Sequence, residues 1–259
     1  MSSSCLLPWV LVCCLFTGHL DATTPRRKHK TPAPAAEQNA EAKALPKTED
    51  SPEPLASPAQ ASESSRKASA VPNATVPTAQ IVEFGGELLR VRKLIESVLV
   101  LTTQDLTYSA SDDPSTGGMD CSGFVSYVLK KNGFADVPRD ASGQYSWLRK
   151  AGTFRAVLSQ NGDTFELDEL RPGDLLFWTG TYVTSHDPPV THSMIYLGTE
   201  KGTANRIMGG SSNGRSYHGK TRWGVSVFDF HLNGSSSARD GKQIRSTFVG
   251  YARPPGLRD

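Results

Sequence analysis

The feature that most constrains this chain is a gap in its aromatic residues. No Phe, Trp or Tyr occurs between Phe16 and Phe84, and nine of the 17 prolines fall between Pro25 and Pro77. That stretch is rich in Pro, Ala, Ser, Lys and Glu. It cannot bury enough apolar surface to offset the entropy lost on ordering. Residues 23–80 therefore read as a disordered Pro/Ala-rich tether, extended and semi-stiff. The core must come from residues 81–259, about 180 residues, which suffice for one domain.

Ahead of the tether, Cys5 to Phe16 is an unbroken apolar run, CLLPWVLVCCLF. It suits the core of a signal peptide and is short of the roughly 20 residues of a membrane span. Cleavage after Ala22 would make residues 1–22 a signal peptide. No Lys or Arg precedes the run, and the basic cluster Arg26-Arg27-Lys28-His29-Lys30 follows it. That leaves a retained anchor open, in which case the N-terminal segment is the chain's one membrane contact. Either way the chain is expected to be exported, to a periplasm, an envelope or the outside.

Charge narrows the function classes. The chain carries 28 Lys+Arg against 26 Asp+Glu, far from the basic excess of a nucleic-acid surface. Cysteine use narrows them further. Cys5, Cys13 and Cys14 lie in the targeting segment, so a cleaved product keeps Cys121 alone. It can form no internal disulfide, and its thiol is either inert, intermolecular or at work.

Along residues 81–259, helices precede strands. Leu88, Leu89, Val91, Leu94, Ile95, Val98 and Leu99 follow helical spacing. A second helix opens at Asp120-Cys121, with apolar positions 121, 124, 125, 128 and 129, Asp120 as N-cap and Asn132-Gly133 as the stop. A third spans Ala141 to Arg149 behind Asp140. Candidate strands follow at Phe154–Leu158, Thr164–Leu167, Leu175–Trp178, Ser193–Leu197, Arg206–Met208, Gly224–Phe230 and Thr247–Ala252. This order is α+β, with a mainly antiparallel sheet.

Cys121 falls on the first turn of its helix, where free N–H groups and the dipole favour a thiolate, the nucleophilic form. It is also in phase with Phe124 and Val128, so geometry alone equally allows a packed, inert side chain. The histidines available as a base are His29, His186, His192, His218 and His231. His192 is singled out because it opens an apolar strand after a Pro-rich loop, a rigid place to hold a reacting group. No Cys/His cluster has zinc spacing, so no metal and no cofactor is expected.

Four segments then occur in order: Met119-Asp120-Cys121-Ser122-Gly123-Phe124-Val125; Val137-Pro138-Arg139-Asp140 with Gln144; Leu170-Arg171-Pro172-Gly173-Asp174-Leu175-Leu176-Phe177-Trp178; and Thr191-His192-Ser193-Met194-Ile195-Tyr196-Leu197-Gly198. Together they resemble the NlpC-type cysteine peptidases, the p-sixty family, over roughly Tyr108 to Ala252. The resemblance implies a papain-like α+β core and hydrolysis of amide bonds in peptidoglycan stem peptides, often between D-γ-glutamate and a diamino acid. It implies Cys121 as nucleophile and His192 as general base. It places Tyr108 at the site wall, gives Asp120 and Ser122 to the substrate's free amine, and lets Arg139 orient Asp120 or the third helix. A plain helix cap is the equal alternative for Asp120, and a surface ion pair the alternative for Arg139.

Two positions depart from the family pattern. Ser193 stands where glycine is usual. The third polar residue of the site aligns with Met208-Gly209-Gly210, so the group that orients His192 is unknown. Asn205, Ser211, Ser212, Asn213, a carbonyl or a water could serve. Competing functions are an amidase or transglutaminase-like enzyme, a catalytically weak wall-binding module, and a structural exported protein.

Overall fold

The computed structural model describes residues 71–239 and 242–257. The signal segment and residues 23–70 lie outside the described residues. Among the described residues three α-helices come first: α1 (Leu89–Thr102), α2 (Cys121–Lys131) and α3 (Ala141–Lys150). A short parallel pair, β1 (Thr107–Tyr108) and β2 (Gly118–Met119), leads into α2. The main sheet holds β3 (Phe154–Ala156), β4 (Leu175–Thr179), β5 (Val190–Thr199), β6 (Arg206–Tyr217), β7 (Lys220–Asp229), β8 (Asn233–Arg239) and β9 (Lys242–Ala252). Its order is β3-β9-β4-β5-β6-β7, with β8 on β9, and every pairing is antiparallel. The expected mixed helix and antiparallel-sheet architecture is present.

Alternation along β5 explains how one sheet serves two cores. Ile195 and Leu197 point to the helix side, where they join Val91, Leu94, Ile95 and Val98 of α1 and Phe124, Val125 and Val128 of α2. Met194 and Tyr196 point the other way, into a layer of Trp178, Met208, Phe228, Phe230 and Phe248. Both faces of the central strands are therefore buried. Each fully buried Leu, Ile or Phe contributes about 1.5–3 kcal/mol.

The helix starts are fixed by side chains. Asp120 accepts from Gly123 N at 2.8 Å and Asp140 from Gly143 N at 2.8 Å, which are the expected caps. The β6–β7 hairpin turns through His218 (φ 49°) and Gly219 (φ 72°). Positive φ at both central residues matches the twist of the strands they join.

The structure corrects three expectations. The tether does not run to residue 80: Ala74 and Val76 are buried, Val227 N donates to Ala74 O at 2.8 Å, and Ala74 N donates to Ser226 Oγ at 2.8 Å. Arg222 also donates to Pro72 O. Small side chains and main-chain bonds anchor this segment without any aromatic residue. Second, Thr164–Leu167 is not a strand. Phe165–Leu167 form a 3-10 turn capped by the Thr164 hydroxyl. Third, β6 is far longer than its apolar start suggests, and β8 was not expected at all. Both are rich in Gly, Ser and Asn, and pairing with β7 and β9 overrides weak strand propensity.

Candidate active site

Cys121 is the first residue of α2 and is buried. The β5–β6 ladder runs from Thr199–Arg206 to Ile195–Gly209 and no further. Past that point the start of α2 fits against both strands. On β6, the Ser211 hydroxyl donates to Met119 O at 2.6 Å. On β5, the Ser193 backbone N–H lies close enough to the Cys121 sulfur to favour its thiolate. The thiol thus lies against the residue next to His192.

A side-chain clamp holds this meeting. Gln144 of α3 is fully buried. Its Nε2 donates to Ser122 O at 2.9 Å and Pro138 O at 3.1 Å, and its Oε1 accepts from the Ser193 hydroxyl at 2.7 Å. Ser193, the departure from the family's glycine, therefore gains a partner and ties the His192 strand to the Cys121 helix.

Arg139 grips Asp120 through two parallel bonds, Nη1 to Oδ1 at 2.9 Å and Nη2 to Oδ2 at 2.5 Å. It also reaches the Ser122 hydroxyl at 3.3 Å and pairs with Asp112 at 3.5 Å. Both carboxylate oxygens of Asp120 are engaged, since Oδ1 also accepts from Gly123 N and the Ser122 hydroxyl. Asp120 is a cap and an anchor for Arg139 at once. A Cβ at Gly123 would run into the Ser111 carbonyl and meet Arg139 Nη2 at 2.8 Å, so glycine lets the Ser111 backbone and the guanidinium close over the helix start.

Tyr108, on β1, sets its hydroxyl against the Cys121 sulfur, and burial raises its phenol above the ordinary range. Tyr182, on the β4–β5 loop, is 44% exposed yet close enough to Cys121, Asp120 and Asp140 for their charges to raise its phenol, after burial. The sequence reading missed Tyr182, and nothing in its loop, GTYVTSHDPP, marks it.

The other described histidines are engaged elsewhere. His186 bonds Pro188 O within its own loop, His218 pairs with Glu200 at 2.7 Å, and His231 is exposed. His192 is buried with its ring edge toward Trp178, centroids 5.7 Å apart, and its Nε2 has no hydrogen-bond partner.

Strand alternation says why no partner comes from position 209. A Cβ on Gly209 would run into Val98 of α1, on the helix side, whereas one on Gly210 would meet Met194 at 2.8 Å, on the side of His192. Ser211 bonds Met119, and Asn205 Nδ2 donates to Asp229 at 2.7 Å, at the far end of the strand. Asn213 is exposed. Of the four polar candidates, Ser212 alone is both buried and on the His192 face.

The electrostatics run against one sequence expectation. Burial pushes the Cys121 thiol up, and the Asp120 charge adds to the rise. The Ser193 and Ser122 N–H groups and the Tyr108 hydroxyl favour the thiolate but do not prevail. The helix start therefore does not lower this thiol below its ordinary value, because desolvation outweighs it. Burial also holds His192 well below the ordinary imidazole value, and the Arg215 cation pushes it further down. The thiol and the imidazole both rest neutral.

The stretch that carries this geometry, residues 106–226, matches the NlpC/P60 family. NlpC/P60 members are cysteine peptidases and related hydrolases. The solved structure of NlpC2 from Trichomonas vaginalis is similar over 62% of this chain, with 17% identity and a TM-score of 0.33. The chain spans 46% of the length of that protein. No curated protein matches.

Proposed function

We propose that this chain is an exported cysteine peptidase with a papain-like core, which hydrolyses amide bonds in peptidoglycan stem peptides. Cys121 is the nucleophile and His192 the general base. The observation that carries the reading is the contact of the Cys121 sulfur with the backbone N–H of Ser193, next to His192, with both segments joined through Gln144.

With both groups neutral at rest, the proton leaves sulfur only as the attack proceeds. His192 takes the Cys121 proton while sulfur bonds to the amide carbonyl carbon. Backbone N–H groups at the start of α2 face the oxyanion that forms. His192 then protonates the leaving amine, and the C–N bond breaks to give a thioester. Water, deprotonated by His192, attacks the thioester carbonyl; sulfur leaves and recovers its proton. Tyr108 and Tyr182 flank the thiol, Asp120 and Ser122 meet the substrate's free amine, and Arg139 holds Asp120 in place. The D-γ-glutamyl–diamino acid bond is the proposed point of cleavage, and residues 1–22 the export signal.

The test is digestion of purified walls by wild type and by Cys121→Ala, with mass analysis of the products. New amine ends at a stem-peptide bond, absent with the mutant, support the reading. Release of products from amides outside the stem would favour the amidase alternative. Wall binding without new amine ends would favour a binding module.

A further inference from the structure

Most of the partly buried arginines with a hydrogen-bond partner are tied to this chain's own oxygens: Arg139 to Asp120, Arg253 to Asp174 at 2.9 Å, Arg206 to Gly162 O at 2.9 Å and Arg222 to Pro72 O. Arg215 differs. Among the described residues no carboxylate or carbonyl accepts from its guanidinium. It is partly exposed, and it lies over the Trp178 ring at 4.5 Å from the centroid. Trp178 is the residue paired with His192 across β4–β5. Trp178 is itself fixed, its Nε1 donating to His231 O at 3.3 Å.

The backbone aims Arg215 there. The β6–β7 register slips between Asn213 and Arg215, and Gly214 sits in the slip at φ 103°. An inserted residue flips the strand's alternation. Ser211 faces the helices, and without the bulge Arg215 would do so too. With it, Arg215 shares the face of Trp178 and His192. Its charge acts on both Cys121 and His192. Burial draws it down only to about 10, so it stays a cation at neutral pH.

We propose that Arg215 is a specificity-determining residue of this site, its guanidinium receiving a carboxylate that the substrate carries close to the scissile amide. Stacking on Trp178 fixes the plane of the guanidinium and leaves its N–H edge for a planar, two-point acceptor. A bound carboxylate neutralises the Arg215 cation that acts on His192, so an acidic substrate also readies the base. The proposal deepens the peptidase reading and rests on Cys121 being the reacting atom.

Two measurements on the full chain test it and separate it from that reading. The first compares alkylation of Cys121 by iodoacetate and by iodoacetamide, which differ in charge and need no turnover. The iodoacetate-to-iodoacetamide rate ratio should fall about tenfold in Arg215→Met and recover in Arg215→Lys; taking the ratio cancels any change in the thiol that both reagents share. Raising salt from about 0.01 M to about 1 M should lower the wild-type ratio as well, which keeps the test decisive if Arg215→Met folds poorly. A ratio indifferent to both salt and Arg215 overturns the proposal. The second compares paired stem peptides bearing a free carboxylate or a carboxamide beside the scissile bond. Wild type should favour the acid at least about tenfold in kcat/KM and Arg215→Met should lose that preference; a preference that survives in Arg215→Met overturns it. Failure of wild type to cleave either peptide counts against the peptidase reading, while the alkylation ratio still decides Arg215.

Discussion

The two halves of the candidate site are built by different means. Around Cys121 every polar group is tied: Asp120 to Arg139 and Gly123, Gln144 to Ser122 and Ser193, Ser211 to Met119. Around His192 the contacts are aromatic and cationic, and the buried Nε2 is bonded to nothing. The nucleophile is held by hydrogen bonds, which are directional and fail one by one. The base is held by packing against Trp178, which tolerates polar changes nearby but leaves the tautomer free.

The largest test of that contrast removes the reacting groups. Cys121→Ala is expected to abolish wall cleavage while the domain stays folded, because a small residue replaces a small one at a helix start. His192→Ala should lose nearly as much. Cleavage at the wild-type rate by a folded Cys121→Ala protein would end the peptidase reading.

Next comes the clamp. Gln144→Ala leaves the buried Ser193 hydroxyl without its acceptor and strips the Ser122 carbonyl of its second donor, which costs about 1–3 kcal/mol of stability. It also frees the His192 strand from the Cys121 helix, so kcat should fall by about 100-fold, as a displacement of about 1 Å can cause. Thermal melts and single-turnover rates measure the two effects. A melt that drops while kcat holds would show that Gln144 serves the fold alone.

A smaller effect concerns pH. His192 binds its proton less readily in the folded chain than in the unfolded one, so the unfolded state gains the proton first as pH falls. Stability should therefore decline as pH drops below about 6.5 toward the lower native value. His192→Gln should flatten that part of the curve in denaturant titrations. An equal decline in the mutant would assign the acid sensitivity to other groups.

The smallest effects test the looseness of the His192 side. Asn205→Ala, Ser211→Ala, Ser212→Ala and Asn213→Ala are each expected to keep more activity than His192→Ala. Ser212→Ala should lose the most and exposed Asn213→Ala the least, in assays of the same wall digest. One of them falling to the level of His192→Ala while folded would reveal a discrete orienting side chain.

The same contrast explains what was legible in the sequence. The Cys121 side could be read because local rules build it: a cap at Asp120, helical spacing after it, glycine at 123. The mixed helix and antiparallel-sheet class followed from element order. The His192 side could not, because it depends on register. A slip at Gly214 decides which way Arg215 points, and no periodicity in RIMGGSSNGRSY announces it. Tyr182 comes from a loop with no pattern. The clamp lies between the two cases: Gln144 stands in a readable motif, but its partner Ser193 departs from the family pattern, and only the fold brings that hydroxyl to the amide.

Residues 71–80 carry a consequence for handling the molecule. β7 is the last strand of the sheet, and its outward amides are taken: Val225 N by Leu106 O at 3.0 Å and Val227 N by Ala74 O at 2.8 Å. A fragment begun at Ile81 would keep the first bond and lose the second, together with the buried methyls of Ala74 and Val76. The flank so uncovered is an unpaired Val227 N–H beside apolar surface, an edge that another copy can complete. Such a fragment should self-associate in proportion to its concentration, whereas one begun near residue 70 should sediment as a single species.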